Sequence, residues 1–304
     1  MGNSGSSLGM SLRAARSGVK YAVRRAGVAS SGLRPAPDFL IIGTKRGGTT
    51  SFYYDLLEHP GILRLYPPSV PGIKPEATKG AHYFDSNFMR GERWYRSYMP
   101  TRSTRSLRAR RLGYQPVVGE ASPYYLFHPA AAARAHDSVP SAQILVLLRD
   151  PIMRTYSHWK ERRRAGAEAL ELLEALEAEP DRLRGERDRV LSDPCYCSYA
   201  WEQQSYATQS NYADALRPWI GLFGRERVLA IASEDYYADP GRVLGVTHEF
   251  LGLPPLPTST GRVRNAARGD GLPEQVQRML ESRFAGPNAD LAQLLGTGLP
   301  WIAE

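Results

Sequence analysis

An apolar run, Phe39-Leu40-Ile41-Ile42-Gly43, leads directly into Thr44-Lys45-Arg46-Gly47-Gly48-Thr49-Thr50-Ser51. No other part of the chain constrains the fold as tightly. The run has the length of a buried strand and Ser51–His59 reads as a helix, so the glycines must turn the chain between them. Strand, glycine-rich turn and helix N-terminus in that order form an anion cradle. The first N–H groups of a helix lack intrahelical partners, and glycine lets a charged oxygen approach them. The spacing Gly43-x-x-x-x-Gly48 mimics a Walker A loop, but Thr49 stands where such loops carry their phosphate-binding lysine. The cations come before the glycines instead, at Lys45 and Arg46.

A second segment has matching chemistry. Gln143-Ile144-Leu145-Val146-Leu147-Leu148 is an unbroken apolar run, as expected of a parallel strand buried on both faces. It continues into Arg149-Asp150-Pro151-Ile152-Met153-Arg154-Thr155-Tyr156-Ser157. Asp150 suits an N-cap and Pro151 the first helical position. That places Arg149 at the strand end and Ser157 about two turns into the helix. In isolation the pair could be a strand-end ion pair and a surface serine.

Together the two segments resemble the phosphate motifs of sulfotransferases that use 3′-phosphoadenosine 5′-phosphosulfate (PAPS). The displaced cations resemble that family's 5′-phosphosulfate loop. R-D-P-x-x-R-x-x-S resembles its 3′-phosphate motif, in which the arginine and serine hold the group that distinguishes PAPS from ATP. The resemblance implies PAPS contacts from Lys45, Arg46, Gly47, Gly48, Thr49, Thr50, Ser51, Arg149 and Ser157; the single negative charge on a transferred sulfonate makes a metal clamp unnecessary. It departs in one place: where the best-known members have lysine before the x-G-T-T core, this chain has Arg46, with Lys45 one residue earlier. Arginine stabilises anions but cannot donate its proton at neutral pH. Arg46 is therefore expected to be the electrostatic residue and Lys45 its helper.

At 304 residues and 42% hydrophobic content, the chain can bury one sizeable core. Strands are expected at Phe39–Gly43, Ala81–Phe84, Pro116–Glu120, Ile144–Leu148 and Arg227–Ala232. Helices are expected at Pro151–Arg164, Ala167–Ala178, Pro180–Leu191, Asn211–Phe223, Pro240–Leu251 and Pro273–Phe284. Alternating apolar strands and helices give an α/β fold, a parallel sheet covered on both faces. With the resemblance, this becomes a P-loop-kinase-like catalytic domain over residues 37–304, preceded by an arm over residues 1–36. The net charge is +8, yet the first 37 residues hold six basic side chains and no acid, so the body is nearly neutral. That balance gives little support to a nucleic-acid partner. The stretch from Ser11 to Gly27 gathers Leu12, Ala15, Val19 and Val23 beside Arg13, Arg16, Lys20 and Arg24, a pattern suited to an anionic membrane surface or to a solvated arm. No apolar stretch nears the roughly 20 residues of a membrane span. Cys195 and Cys197 are too close in sequence for an unstrained bridge; both read as reduced thiols of a cytoplasmic protein. The acidic and basic alternation from Glu168 to Arg189 reads as a solvated helical pair.

Sulfuryl transfer needs cations and N–H groups for the departing phosphate, an in-line acceptor and a base for its proton. Three residues are candidates for the base. Lys79-Gly80-Ala81-His82-Tyr83-Phe84-Asp85 resembles the K-E-x-H-F-F-D segment of glycosaminoglycan-type sulfotransferases, with Gly80 in place of the glutamate that is the presumed base there. His82 and Asp85 remain in that segment. Glu120, at a strand end in Gly119-Glu120-Ala121-Ser122-Pro123, is the first choice, and His82 has a suitable intrinsic pKa. The resemblance also points to Tyr206 and Tyr212 beside the nucleotide and to Arg262, Arg264 and Arg268 in a loop over the 3′-phosphate. The arginine run Arg102, Arg105, Arg108, Arg110 and Arg111 is expected near the acceptor cleft or a membrane. The reaction implied is sulfonate transfer to a hydroxyl, on a carbohydrate or glycolipid. A P-loop phosphotransferase such as a nucleotide kinase, or a non-catalytic PAP/PAPS-binding membrane-surface protein, are the competing readings.

Overall fold

The structure, a computed structural model, describes residues 21–67, 79–256 and 271–302. Five parallel strands form its sheet, in the order β2-β3-β1-β4-β5: β1 is Phe39–Gly43, β2 Ile62–Leu63, β3 Val117–Ala121, β4 Gln143–Leu148 and β5 Val228–Ala232. The central β1 lies between β3, with Phe39 opposite Gly119, and β4, with Phe39 opposite Gln143. Its residues alternate between two cores. Leu40 and Ile42 join Ile144, Val146 and Leu148 on one face, whereas Phe39 and Ile41 join Leu145 and Leu147 on the other. A strand buried on both faces must be apolar throughout, which explains the unbroken runs. Each fully buried side chain of this size contributes about 1.5–3 kcal/mol.

Helix α1 (Thr49–Leu56) follows the glycine-rich loop, α2 (Glu92–Arg96) and α3 (Arg102–Leu112) precede β3, and α4 (Ala131–Ser138) precedes β4. Beyond β4 come α5 (Pro151–Arg164), α6 (Leu172–Leu183), α7 (Glu186–Ser192), a π-helical turn (Ala200–Gln204) and α8 (Tyr212–Phe223). After β5 stand α9 (Ser233–Ala238), α10 (Pro240–Phe250) and α11 (Glu274–Leu295). Helices therefore cover both faces of the sheet, as the alternation of the sequence predicts. All strands are parallel, so the loops after β1, β3 and β4 gather at one end of the sheet, where α/β folds place their ligands.

Four expectations are corrected. Ala81–Phe84 is not a strand but irregular chain that enters a turn at Tyr83. It is held to β3 by side chains, and His82 takes a positive φ of 48° that no ladder could carry. The arginine run forms α3 at the opposite end of the sheet from the loop. Arg105 Nη2 contacts both Asp38 oxygens, at 2.7 and 2.6 Å, and Asp38 immediately precedes β1. Arg108 donates to the Pro60 carbonyl at 2.9 Å. The chain must cross to that end before it can start another parallel strand, so the run lies away from an acceptor bound near the loop. The helices expected at Ala167–Ala178 and Pro180–Leu191 are shifted, with Pro180 inside α6. Glu168 and Glu179 are buried rather than solvated.

The described part of the arm packs on the body. Arg24 lies 3.4 Å over the Tyr98 ring and donates to Ser97 Oγ at 3.0 Å. Arg34, 4% exposed, lies over Tyr66 and donates to the Met99 carbonyl. These two cations are therefore committed to the protein itself. Arg13, Arg16 and Lys20 lie outside the described residues.

Candidate active site

The loop between β1 and α1 is pinned from three sides. Thr44 N–H donates to the Leu147 carbonyl at 2.7 Å, Gly47 N–H to the Thr44 carbonyl at 3.0 Å, and Ser233 Oγ to the Gly47 carbonyl at 2.7 Å. Gly48 has φ 86°, and a Cβ there would stand 2.4 Å from the Tyr237 hydroxyl. Only glycine fits that position without a shift. The loop then delivers Thr49, Thr50 and Ser51 into the first turn of α1, where backbone N–H groups project beyond the helix end.

The two phosphate motifs meet here. Arg46 Nε donates to Ser157 Oγ at 3.1 Å, across 111 residues of sequence. Arg149 Nη1 donates to the Arg46 carbonyl at 3.3 Å. Asp150 caps α5 by accepting from Ile152 N–H at 2.8 Å and Met153 N–H at 3.1 Å, and Pro151 opens the helix. Those caps fix where Arg149 and Ser157 stand. Tyr212, 1% exposed, donates its hydroxyl to the Arg149 carbonyl at 2.8 Å. It braces the strand end from beneath instead of facing the open side of the loop. The middle arginine of the motif, Arg154, is fully buried and donates to Ser210 Oγ at 2.6 Å and to the Tyr206 carbonyl. Tyr206, also fully buried, donates to Glu168 Oε2 at 2.8 Å, and Glu179 accepts from Thr208 N–H at 2.7 Å. The acids that sequence pattern assigns to solvent thus anchor the segment behind the site.

Lys45 points elsewhere. Its Nζ lies 3.3 Å from Glu202 Oε1, 3.2 Å from the Glu202 carbonyl and 3.2 Å from Gln203 Oε1. Burial lowers its pKa, and Glu202 opposes that shift. Both residues belong to the π-helical turn, a geometry that is rare and concentrates at functional sites.

The base candidates stand on the same side. Glu120 is fully buried. Its Oε2 accepts from Ala81 N–H at 2.8 Å and Ser122 Oγ at 2.7 Å, and its Oε1 from the Tyr125 hydroxyl at 2.7 Å and the Tyr95 hydroxyl at 3.1 Å. Burial raises its pKa against the pull of these bonds. His82 has a side chain 41% exposed, with Nδ1 2.9 Å from Oδ2 of the buried Asp85. Burial lowers the imidazole pKa, but the bond to Asp85 and its charge outweigh this, and the net shift is upward. With Nδ1–H on the carboxylate, Nε2 is the basic nitrogen. Lys79 joins this segment to the loop through Thr50 Oγ1 at 2.9 Å. Asp85, Tyr124, His128, Cys197 and Glu202 line one small cavity, linking His82 to the partner of Lys45.

The missing glutamate at position 80 has a steric explanation. A Cβ on Gly80 would sit 2.3 Å from the Ala121 carbonyl oxygen and 2.6 Å from Ser122 Oγ. Glu120 reaches the same segment from the strand side. Gly80→Ala is expected to cost about 1–3 kcal/mol of stability, as overpacking against backbone does. Denaturant melts check this; an unchanged midpoint would show that the segment yields freely.

Sequence pattern assigns no role to Lys79, Glu202, Arg154 or His158. His158 is buried behind the loop with neither ring nitrogen bonded among the described residues, and burial together with Arg154 and Lys45 drives its pKa well down. Arg262, Arg264 and Arg268 lie outside the described residues. No group of three or more His, Cys, Asp or Glu with metal-binding geometry occurs among the described residues.

With this geometry in hand, the chain can be set beside known proteins. The family profile described as "Sulfotransferase domain" matches residues 36–280. The membrane-associated sulfotransferase kil1 of Dictyostelium discoideum is 22% identical over 87% of this chain. The human heparan sulfate glucosamine 3-O-sulfotransferase 6 is 29% identical over 78% of it. The chain spans 66% and 58% of those two relatives' own lengths. A crystal structure of a sulfotransferase from Alicyclobacillus acidocaldarius is 27% identical, covers 87% of this chain and 98% of its own, and superposes with a TM-score of 0.61. The chain belongs to the sulfotransferase family.

Proposed function

We propose that this sulfotransferase transfers the sulfonate group of PAPS to a carbohydrate hydroxyl, with His82 as the base that receives the hydroxyl proton. The convergence of Arg46, Arg149 and Ser157 beside a glycine cradle carries the reading. Those groups suit two phosphates on one nucleotide: the loop N–H groups and Arg46 for the 5′-phosphosulfate, Arg149 and Ser157 for the 3′-phosphate. A nucleotide kinase would need a lysine at Thr49. The acceptor oxygen bonds to sulfur as the bond from sulfur to the 5′-phosphate oxygen breaks, and Arg46 meets the charge left on that phosphate. Lys45 assists from its place on Glu202.

Glu120, the first choice from sequence, fits a supporting role better. Each of its oxygens already accepts two hydrogen bonds, and losing them to bind a proton would release the Lys79–Asp85 segment. The half-exposed His82, oriented by Asp85, carries no such obligation. The carbohydrate acceptor is supported by the similarity to the human heparan sulfate glucosamine 3-O-sulfotransferase. We place the enzyme in the cytoplasm, where the exposed Cys195 and Cys197 stay reduced. Its arm would rest on an anionic membrane surface, as the name of the Dictyostelium relative suggests. Among the described residues no helix is long and apolar enough to cross a membrane.

The deciding test is nucleotide selectivity. The desulfated product of PAPS, 3′-phosphoadenosine 5′-phosphate (PAP), should bind at least about tenfold more tightly than ADP, because each lost charge-assisted contact costs about 1.5–3 kcal/mol. Calorimetry giving equal affinities would remove the basis for the donor assignment.

A further inference from the structure

A cavity of about 250 Å³ opens between α4 and α8. Its wall includes Phe127, His128, Trp201 and Trp219, with Asn211 and Asp214 toward the start of α8. Two features connect it to the chemistry. His128 lines both this cavity and the small one shared by Asp85, Tyr124 and Glu202. Trp201 immediately precedes Glu202, the residue that holds Lys45. We infer that this cavity is an acceptor subsite that takes an uncharged sugar ring, the neighbour of the residue that receives the sulfonate. The inference rests on the carbohydrate reading above and narrows it to a neutral acceptor segment.

Three observations point to that ligand chemistry. The Phe127 and Trp201 rings stack at 4.9 Å with an interplanar angle of 16°, presenting flat apolar surface suited to the C–H face of a pyranose. Trp219 adds a third ring to the wall. The polar groups are few and localised, the pattern of a pocket that orients a polyhydroxylated ring. An alkyl chain would strand those groups dry.

Charge argues against a polyanion. Among the lining residues there is one acid, Asp214, and one guanidinium, Arg187. Asn211 Nδ2 donates to Asp214 Oδ2 at 2.7 Å, and Arg217 stands 3.8 Å from its other oxygen. Burial holds His128 down at about 4, so its ring is neutral near pH 7 and adds no positive charge. With Asp214 paired to Arg217 and Arg187 the one other charged group on the wall, the lining holds no cluster of cations to gather a sulfated or uronate residue.

The test uses the full-length enzyme with PAP bound and a panel of lactose, maltose, cellobiose and chitobiose, against a heparosan tetrasaccharide. At least one neutral disaccharide is expected to quench tryptophan fluorescence, with Trp201→Phe removing most of the change. Ala215→Phe, which fills the cavity from α8, should raise the KM of that disaccharide about tenfold or more. Affinity for PAP and the kcat on the corresponding monosaccharide should stay unchanged. Quenching by heparosan alone, quenching by no sugar, or an unchanged disaccharide KM in a folded Ala215→Phe enzyme overturns the subsite. The donor reading fails separately. If PAP does not bind or no sulfonate moves, a quench lost in Trp201→Phe still supports the subsite.

Discussion

Replacing His82 with asparagine should lower kcat by about a hundredfold to ten-thousandfold, the range that a positioned general base contributes. PAP affinity should be unchanged, because His82 faces Asp85 and the acceptor side, not the loop cations. The pH profile gives a second readout. A base works unprotonated, and Asp85 favours the protonated imidazole enough to lift the pKa above 6.5 despite burial. The acid limb of kcat should therefore lie above the position of an ordinary histidine, with activity falling as pH drops through it. Asp85→Asn removes the raising influence and leaves burial, so the limb should move to lower pH. Glu120→Gln should instead lower the melting temperature, since its amide nitrogen cannot accept from the donors around it. If His82→Asn kept near-normal turnover while Glu120→Gln stayed folded and lost it, the proton would belong to Glu120.

The loop that we propose for the phosphates is legible in the sequence as local structure. Gly47, Gly48 and the flanking apolar runs state a strand, a turn and a helix start within a dozen residues, and Asp150-Pro151 states the next helix start. The proposed acceptor side is not local. Lys45 finds Glu202 across 157 residues, and no spacing rule encodes such a pair. Ala81–Phe84 alternates like a strand, yet side-chain bonds to Glu120 and the Tyr125 hydroxyl hold it, and pattern cannot separate the two cases. Helix α3 escapes detection because it buries none of its residues and so carries no apolar stripe. Glu168 and Glu179 show the reverse error: charged residues in a polar run pass for solvated until the segment that they anchor folds over them.

Arg46→Ala should lower kcat by about a hundredfold or more, the usual cost of losing one preorganised donor to developing charge. PAP affinity should weaken far less, on the order of tenfold, because the loop N–H groups, Arg149 and Ser157 remain. The asymmetry follows from when the charge appears: the phosphate gains it as the bond to sulfur breaks, so an interaction with it grows toward the transition state. Arg46→Lys restores a cation at the same place but not the fork that donates Nε to Ser157 Oγ, so partial recovery is expected. Lys45→Ala separates the two cations. Lys45 is drawn toward Glu202 and Gln203, and its loss should slow turnover less than the loss of Arg46. A Lys45→Ala enzyme slower than Arg46→Ala would mean that Lys45 leaves Glu202 during catalysis and takes the leaving phosphate itself. Unchanged turnover in both would place the charge stabilisation outside this loop and overturn the mechanism.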